Sequence, residues 1–170
     1  MLDKFSALAL LSGIVLDTRN FILRAGVRTF EAAAYLRSRG ASTVDCKKLF
    51  SNDMDVFRAR NAIIDNAETF SDCAISVAPE NVDNIRLVTS QAADEMLNIE
   101  GVKASFVLYE SSGCVNISAR SYGEINVQLI MEAFGGGGHQ TMSACQVKDA
   151  DVQTAIDMLK KVIGEYFSNL

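Results

Sequence analysis

The sequence contains one proline, one histidine and no CxxC pair, and no long run of lysine or arginine. Each scarcity closes off a class of function. With a formal charge of −5 from 21 acidic and 16 basic residues, and no basic stretch, the chain lacks the electrostatic footprint of a duplex-binding protein. Duplex nucleic acid is therefore not an expected partner, although a small phosphorylated ligand held locally remains open. The four cysteines, Cys46, Cys73, Cys114 and Cys145, are too widely spaced for a structural zinc site or a redox motif, and read as buried free thiols in a reducing cytoplasm. The apolar stretch from Leu8 to Leu16 has no basic lead and no small-residue cleavage site, and Asp17 interrupts it well short of a membrane span. Direct membrane contact is not expected of this chain, and a cytoplasmic location is. No internal repeat or low-complexity segment is visible.

What is present is a large apolar fraction, 49% of 170 residues, enough to bury a core in one domain or two small ones. Residues 1 to 18 read as a helix apolar on most sides, the kind that normally lies inside a larger protein, so the beginning of the chain reads as a cut end. Thr29 is placed to cap a helix from Phe30 to Arg39, with Glu31 near its positive end and Gly40 as the stop. A short helix is expected from Ser42 to about Phe50. The polar run Ser51-Asn52-Asp53 marks a boundary, followed by a periodic segment with Val56, Ile63, Ile64 and Ala67 on one face. Beyond it strands and helices alternate: strand Cys73 to Val77, helix Val82 to Leu97, strands Ser105 to Tyr109 and Val115 to Arg120, helix Val127 to Phe134, strand Ser143 to Val147 and helix Asp151 to Phe167. Ser111-Ser112-Gly113 joins the middle two strands as an antiparallel hairpin, and Pro79, the single proline, sits where the first strand should end. The expected fold is α/β, a mixed β-sheet flanked by helices and preceded by a small helical segment.

The most informative stretch is Glu132-Ala133-Phe134-Gly135-Gly136-Gly137-Gly138-His139. Four consecutive glycines are costly to order, and they allow positive φ and close approach of a ligand to bare backbone, as in phosphate-binding nests. His139 follows directly and could donate a hydrogen bond to a phosphate. Taken alone, the run also fits a helix C-cap at Gly135 followed by a plain connector, with His139 a surface residue. On the preceding strand Ser118 and Arg120 project to one face and Ser121 to the other. A hydroxyl, a guanidinium able to grip two phosphate oxygens and a glycine loop together make a phosphate cradle. Phe134, with Ile130 four residues earlier, reads as a core position more than a base-stacking platform.

Ile117-Ser118-Ala119-Arg120-Ser121, Ile125-Asn126-Val127-Gln128 and the run from Gly135 to His139 resemble, in order and spacing, the C-terminal DHH-associated domain of the DHH phosphoesterase superfamily. Ala9-Leu10-Leu11-Ser12-Gly13-Ile14-Val15-Leu16-Asp17-Thr18-Arg19-Asn20-Phe21, continuing into Arg28-Thr29-Phe30-Glu31-Ala32-Ala33, looks like the fourth motif of the DHH catalytic domain. Within the superfamily the combination is most similar to cyclic-di-AMP phosphodiesterases of the GdpP type.

The resemblance implies that residues 1–52 are the C-terminal remnant of a DHH catalytic domain with its linker, and residues 53–170 a DHH-associated nucleotide-binding domain. It implies a manganese-dependent phosphodiesterase with two metal ions, in which Asp17 is a metal ligand while Ser118, Arg120, Ser121, Gly135, Gly136, Gly137, Gly138 and His139 hold the substrate. The partner would be a cyclic dinucleotide or short oligonucleotide, and the missing N-terminal part of the DHH domain would be a second partner; a homodimer is left open. A parent of this type would be membrane-anchored through upstream helices. The family's His-x-Asp-x-Asp, Asp and Asp-His-His motifs are absent here, so one carboxylate remains of the metal set and the chain alone is expected to be inactive. Two further readings stand beside this one: an oligoribonuclease or phosphoadenosine phosphatase of the same superfamily, and a nucleotide-binding module without chemistry.

Overall fold

The computed structural model describes residues 2–169 and divides into two compact units, Met1–Asp53 and Met54–Leu170. The first contains α1 (Lys4–Asp17), α2 (Val27–Ser38) and α3 (Thr43–Leu49). Asp3 caps α1 by accepting the Ser6 N–H at 2.8 Å, which starts the helix later than its apolar pattern suggests. The interior is small: Ala7 and Leu11 of α1 meet Leu36 and Ala41, while Phe5, Leu10 and Leu16 on the same helix stay exposed. The all-round apolar character read from the sequence is thus real, and one face of the helix is covered within this unit. α2 begins three residues before its expected start. Gly26 is the N-cap and Thr29 sits inside the first turn, where its Oγ1 accepts the Gly26 N–H at 3.2 Å instead of capping the helix itself. Gly40, at φ +92°, ends the helix as its permissive backbone allows.

The second unit contains α4 (Met54–Asp65), β1 (Glu68–Phe70), β2 (Cys73–Val77), α5 (Ile85–Met96), β3 (Ala104–Ser111), β4 (Cys114–Ser121), α6 (Val127–Glu132), β5 (Gly137–His139), β6 (Met142–Lys148) and α7 (Val152–Ser168). One sheet results, in the order β1-β2-β3-β4-β6-β5. It is mixed: β2 and β3 are parallel, joined through α5, and every other pair is antiparallel. Ser112 and Gly113, at φ 56° and 75°, form the two-residue hairpin turn between β3 and β4 that the sequence signals. Ser71 and Asp72 make a similar turn before β2, creating a three-residue strand β1 too short to leave a periodic signature. α5 starts later than expected because Asn81 and Asn84 both adopt left-handed φ, which a helix cannot contain.

Alternation along β3 and β4 divides the core in two. Phe106, Leu108, Val115, Ile117 and Ala119 face α6 and α7, where Ile130, Met131, Leu159 and Ile163 complete the larger cluster. Val107 and Tyr109 face the opposite way, toward α5 and α4, packing with Ile63, Val88, Ala92 and Met96. The four cysteines are free, three of them buried. Burial pushes the thiols of Cys73 and Cys145 up to about 12. No helix among the described residues is long and apolar enough to cross a membrane.

Candidate functional site

Strand pairing brings four of the eight expected substrate residues, Ser118, Arg120, Gly137 and His139, onto one sheet face. Arg120 on β4 is level with Met142 on β6, and Met142 with His139 on β5; one step along, Ser118 is level with Ala144 and Ala144 with Gly137. Paired residues in an antiparallel sheet point the same way, and strands lie about 4.8 Å apart, so Arg120 and His139 stand roughly 10 Å from each other across two ladders. α5 packs against β3 and β4, but on β6 this face is open: Met142, Ala144, Gln146 and Lys148 are exposed while Ser143, Cys145 and Val147 are buried beneath them. Residues 118, 120, 137 and 139 therefore border an accessible strip at the edge of the sheet.

The four glycines do not serve one common purpose. Gly135, at φ +72°, closes α6, and its N–H is taken by the Glu132 carbonyl, while the Gly136 N–H is taken by Met131, both at 2.9 Å. These two N–H groups are already satisfied by the helix end and do not join an anion nest. A β-carbon on Gly136 would collide with the Ala144 carbonyl and Cys145, and one on Gly138, at φ +150°, with the Met142 carbonyl and the Ser143 backbone. Both are glycine so that β5 can lie against β6. Gly137 has nothing within 4 Å of where a β-carbon would stand, and its carbonyl accepts the Ser143 hydroxyl at 2.6 Å. The run expected as a loop is thus a helix cap followed by an edge strand. The short repeat of one small residue gave no alternation from which a strand could be read.

The side chains differ as sharply. Arg120 is 7% exposed and points at α5: Nε lies 3.2 Å from Asp94 Oδ1, Nη2 donates to Ser90 Oγ at 2.9 Å and Nη1 to the Ala119 carbonyl at 2.9 Å. Much of the fork that would grip a phosphate is committed to holding α5 on the sheet. Ser121, fully buried, is not on the open face; its hydroxyl donates to the Ile125 carbonyl at 2.7 Å and accepts the Gly123 N–H at 3.3 Å, fixing the loop before α6. Ser118 is 8% exposed on the open side of β4. His139 is exposed on the outermost strand. Asp94 and Ser90 were not singled out from sequence, although they recur four residues apart on α5, a spacing that places both on one helix flank.

Asp17 is the last residue of α1 and is exposed. After it Thr18 donates to the Ile14 carbonyl at 2.6 Å and accepts the Phe21 N–H at 3.0 Å. Arg19, Asn20 and Phe21 then follow at φ 46°, 57° and 66°, a rare run of left-handed residues without glycine that turns the chain sharply. Among the described residues there is no cluster of three His, Cys, Asp or Glu side chains that could hold a metal ion. The donor set in this sequence does not by itself fit the manganese pair that the resemblance implies.

The family model for the DHHA1 domain matches residues 73–165, from the start of β2 into α7. The chain belongs to the DHHA1 family. The sheet, α5, α6, the glycine run and most of α7 are thus the DHHA1 fold, with α1 to α4 and β1 outside the match. Over 166 residues the chain is 45% identical to the cyclic-di-AMP phosphodiesterase PdeA of Listeria monocytogenes, covering 96% of this chain and 25% of that protein. It is 44% identical to the cyclic-di-AMP phosphodiesterase GdpP of Bacillus subtilis, over 98% of this chain and 26% of that one. The chain spans about a quarter of the length of these relatives. An exopolyphosphatase-related protein from Bacteroides fragilis superposes with a TM-score of 0.87 at 21% identity, over 96% of this chain and 51% of that chain, a likeness of fold. Homologues of this DHHA1 chain are phosphodiesterase hydrolases, and the larger part of their length has no counterpart here.

Proposed function

We propose that this chain is the substrate-holding part of a phosphodiesterase that opens cyclic-di-AMP to linear di-adenylate, receiving a phosphate on the open sheet face at Gly137 and His139. The observation that carries the reading is the level pairing of Ser118, Ala144 and Gly137 beside Arg120, Met142 and His139 on an uncovered sheet edge, in a DHHA1 domain 44–45% identical to two cyclic-di-AMP phosphodiesterases. Gly137 keeps the strip free of side-chain bulk, and the imidazole of His139 offers an N–H to a phosphate oxygen. Arg120, gripped by Asp94 and Ser90, acts here as a positioning residue that fixes β4 against α5. Asp17 is assigned as one carboxylate ligand of a two-manganese site whose remaining ligands lie in a part of the enzyme other than these residues. One carboxylate cannot hold two ions, so the hydrolytic step is not performed by the side chains described here.

His139→Ala in the full-length enzyme tests the assignment. Loss of a hydrogen bond to an ionised group costs about 1.5–3 kcal/mol, so calorimetric affinity for cyclic-di-AMP should fall roughly tenfold to hundredfold. Metal content should not change. Depleted manganese would make His139 a ligand instead, and unchanged affinity with unchanged turnover would remove it from the site.

A further inference from the structure

β5 is a short strand. It covers β6 only from Met142 to Ala144, so beyond Ala144 the outer side of β6 has no neighbouring strand. The Thr141 carbonyl accepts the Ser121 N–H on the inner side, and the Ala144 and Met142 carbonyls stand against the positions a β-carbon would take on Gly136 and Gly138, so even-numbered residues direct their backbone groups outward. The N–H and C=O of Gln146 therefore face the open edge together. Along this edge a cavity of about 790 Å³ runs between the glycine turn at Gly135–Gly137 and the end of β6, with Phe134 and Met158 contributing apolar wall and Gln146 and Lys148 the polar rim. The Gln146 side chain is drawn to the sheet face, where Nε2 donates to Asn116 Oδ1 at 3.0 Å, which leaves the backbone edge unobstructed by its own amide.

We propose that this slot seats one nucleobase of the bound nucleotide, with the base edge bonded to the Gln146 backbone. The inference rests on the phosphate assignment above and extends it to the adjoining cavity. A nucleobase is a flat apolar body with donors and acceptors confined to its rim. It matches a cavity that sets the apolar side chains of Phe134 and Met158 beside the backbone edge of β6. Gly137 also lines the slot, so a phosphate held at Gly137 lies at its border.

The experiment compares AMP with ribose 5-phosphate, which has the same phosphate and sugar but no base, by calorimetry on the full-length protein. The parent should bind AMP at least tenfold more tightly. Gln146→Pro removes the outward N–H without breaking the ladder to β4, and should bring AMP down to the level of ribose 5-phosphate while leaving the latter unchanged. Gln146→Ala, which keeps the backbone donor, should retain the preference. Met158→Trp fills the slot from α7 without altering β6, and should abolish the same preference even if the proline variant fails to fold. A preference preserved in Met158→Trp and in a folded Gln146→Pro overturns the base slot while the phosphate assignment stands. A parent that binds cyclic-di-AMP but does not distinguish AMP from ribose 5-phosphate overturns it as well. A parent that binds neither cyclic-di-AMP nor AMP overturns the assignment on which it rests.

Discussion

At the scale of single residues, chemically identical neighbours have different duties, and substitution separates them. Gly136→Val drives a branched side chain into the Ala144 carbonyl and Cys145, so it is expected to destabilise the fold by about 1–3 kcal/mol in a urea titration. Gly137→Val meets open space at a backbone angle outside the left-handed region. It should leave stability within about 1 kcal/mol of the parent and weaken cyclic-di-AMP binding by the full-length protein roughly tenfold, since its bulk stands on the open face. Equal losses of stability in the two variants would show that β5 is closed on that side. Arg120 gives a different signal. Removing it leaves Asp94 without its cation, but the Asp94 side chain is 41% exposed and can be hydrated, so Arg120→Met should cost about 1–2 kcal/mol, less than a fully buried pair would. In a double-mutant cycle with Asp94→Asn that cost should largely disappear, and additive losses would mean that the two side chains do not interact.

Among the elements, the helix ends show how local chemistry sets boundaries. Asp151 caps α7, its carboxylate accepting the Thr154 N–H at 2.7 Å, and this bond holds its pKa below the ordinary 3.8. A carboxyl whose pKa is lowered by folding contributes stability above its unfolded value and loses that contribution as pH falls through the folded one. Asp151→Ala should therefore lower Tm at neutral pH, with the gap to the parent closing as the pH is taken below 3.8. A gap independent of pH would assign the loss to something other than the ionised cap. The same reasoning explains where expected boundaries held and where they moved. α7 begins where Asp151 announces it, whereas α2 starts at Gly26, a cap that acts through backbone alone and carries no side-chain signal. β5 was missed because two of its three residues are glycine; it exists through pairing with β6, a partner that follows it in the chain.

At the scale of the molecule, the residues proposed to hold phosphate and the carboxylate proposed to bind metal belong to different units. The DHHA1 sheet presents an open strip and an adjoining cavity, yet the described residues contain no three-ligand cluster, and Asp17 stands at the end of a helix in the other unit. The purified 170-residue chain supplied with manganese is accordingly expected to show no hydrolysis of cyclic-di-AMP by chromatography. In the full-length enzyme, Asp17→Asn should cut turnover sharply with Tm unchanged, because an amide is a weaker ligand for a hard cation than a carboxylate. Turnover by the isolated chain that Asp17→Ala abolishes would require a ligand set assembled some other way.

The order of the helices and the longer strands, the β3–β4 hairpin and the facing of Ser118 with Arg120 were legible in the sequence, since they follow from two- and 3.6-residue periodicity and from turn residues acting on near neighbours. The three-residue strands β1 and β5 were not. The family was legible as well, through motifs separated by fixed spacings and confirmed by the match over residues 73–165. What each motif residue does was decided by tertiary contacts. Ser121 lies beneath the sheet with its hydroxyl bonded to Ile125, Arg120 is claimed by Asp94 and Ser90 from a helix about thirty residues earlier, and two of four identical glycines exist to let β5 reach β6. The reason is physical: periodicity says which way a side chain points, but the partner waiting there comes from a distant segment, and only the folded chain brings the two within hydrogen-bond distance.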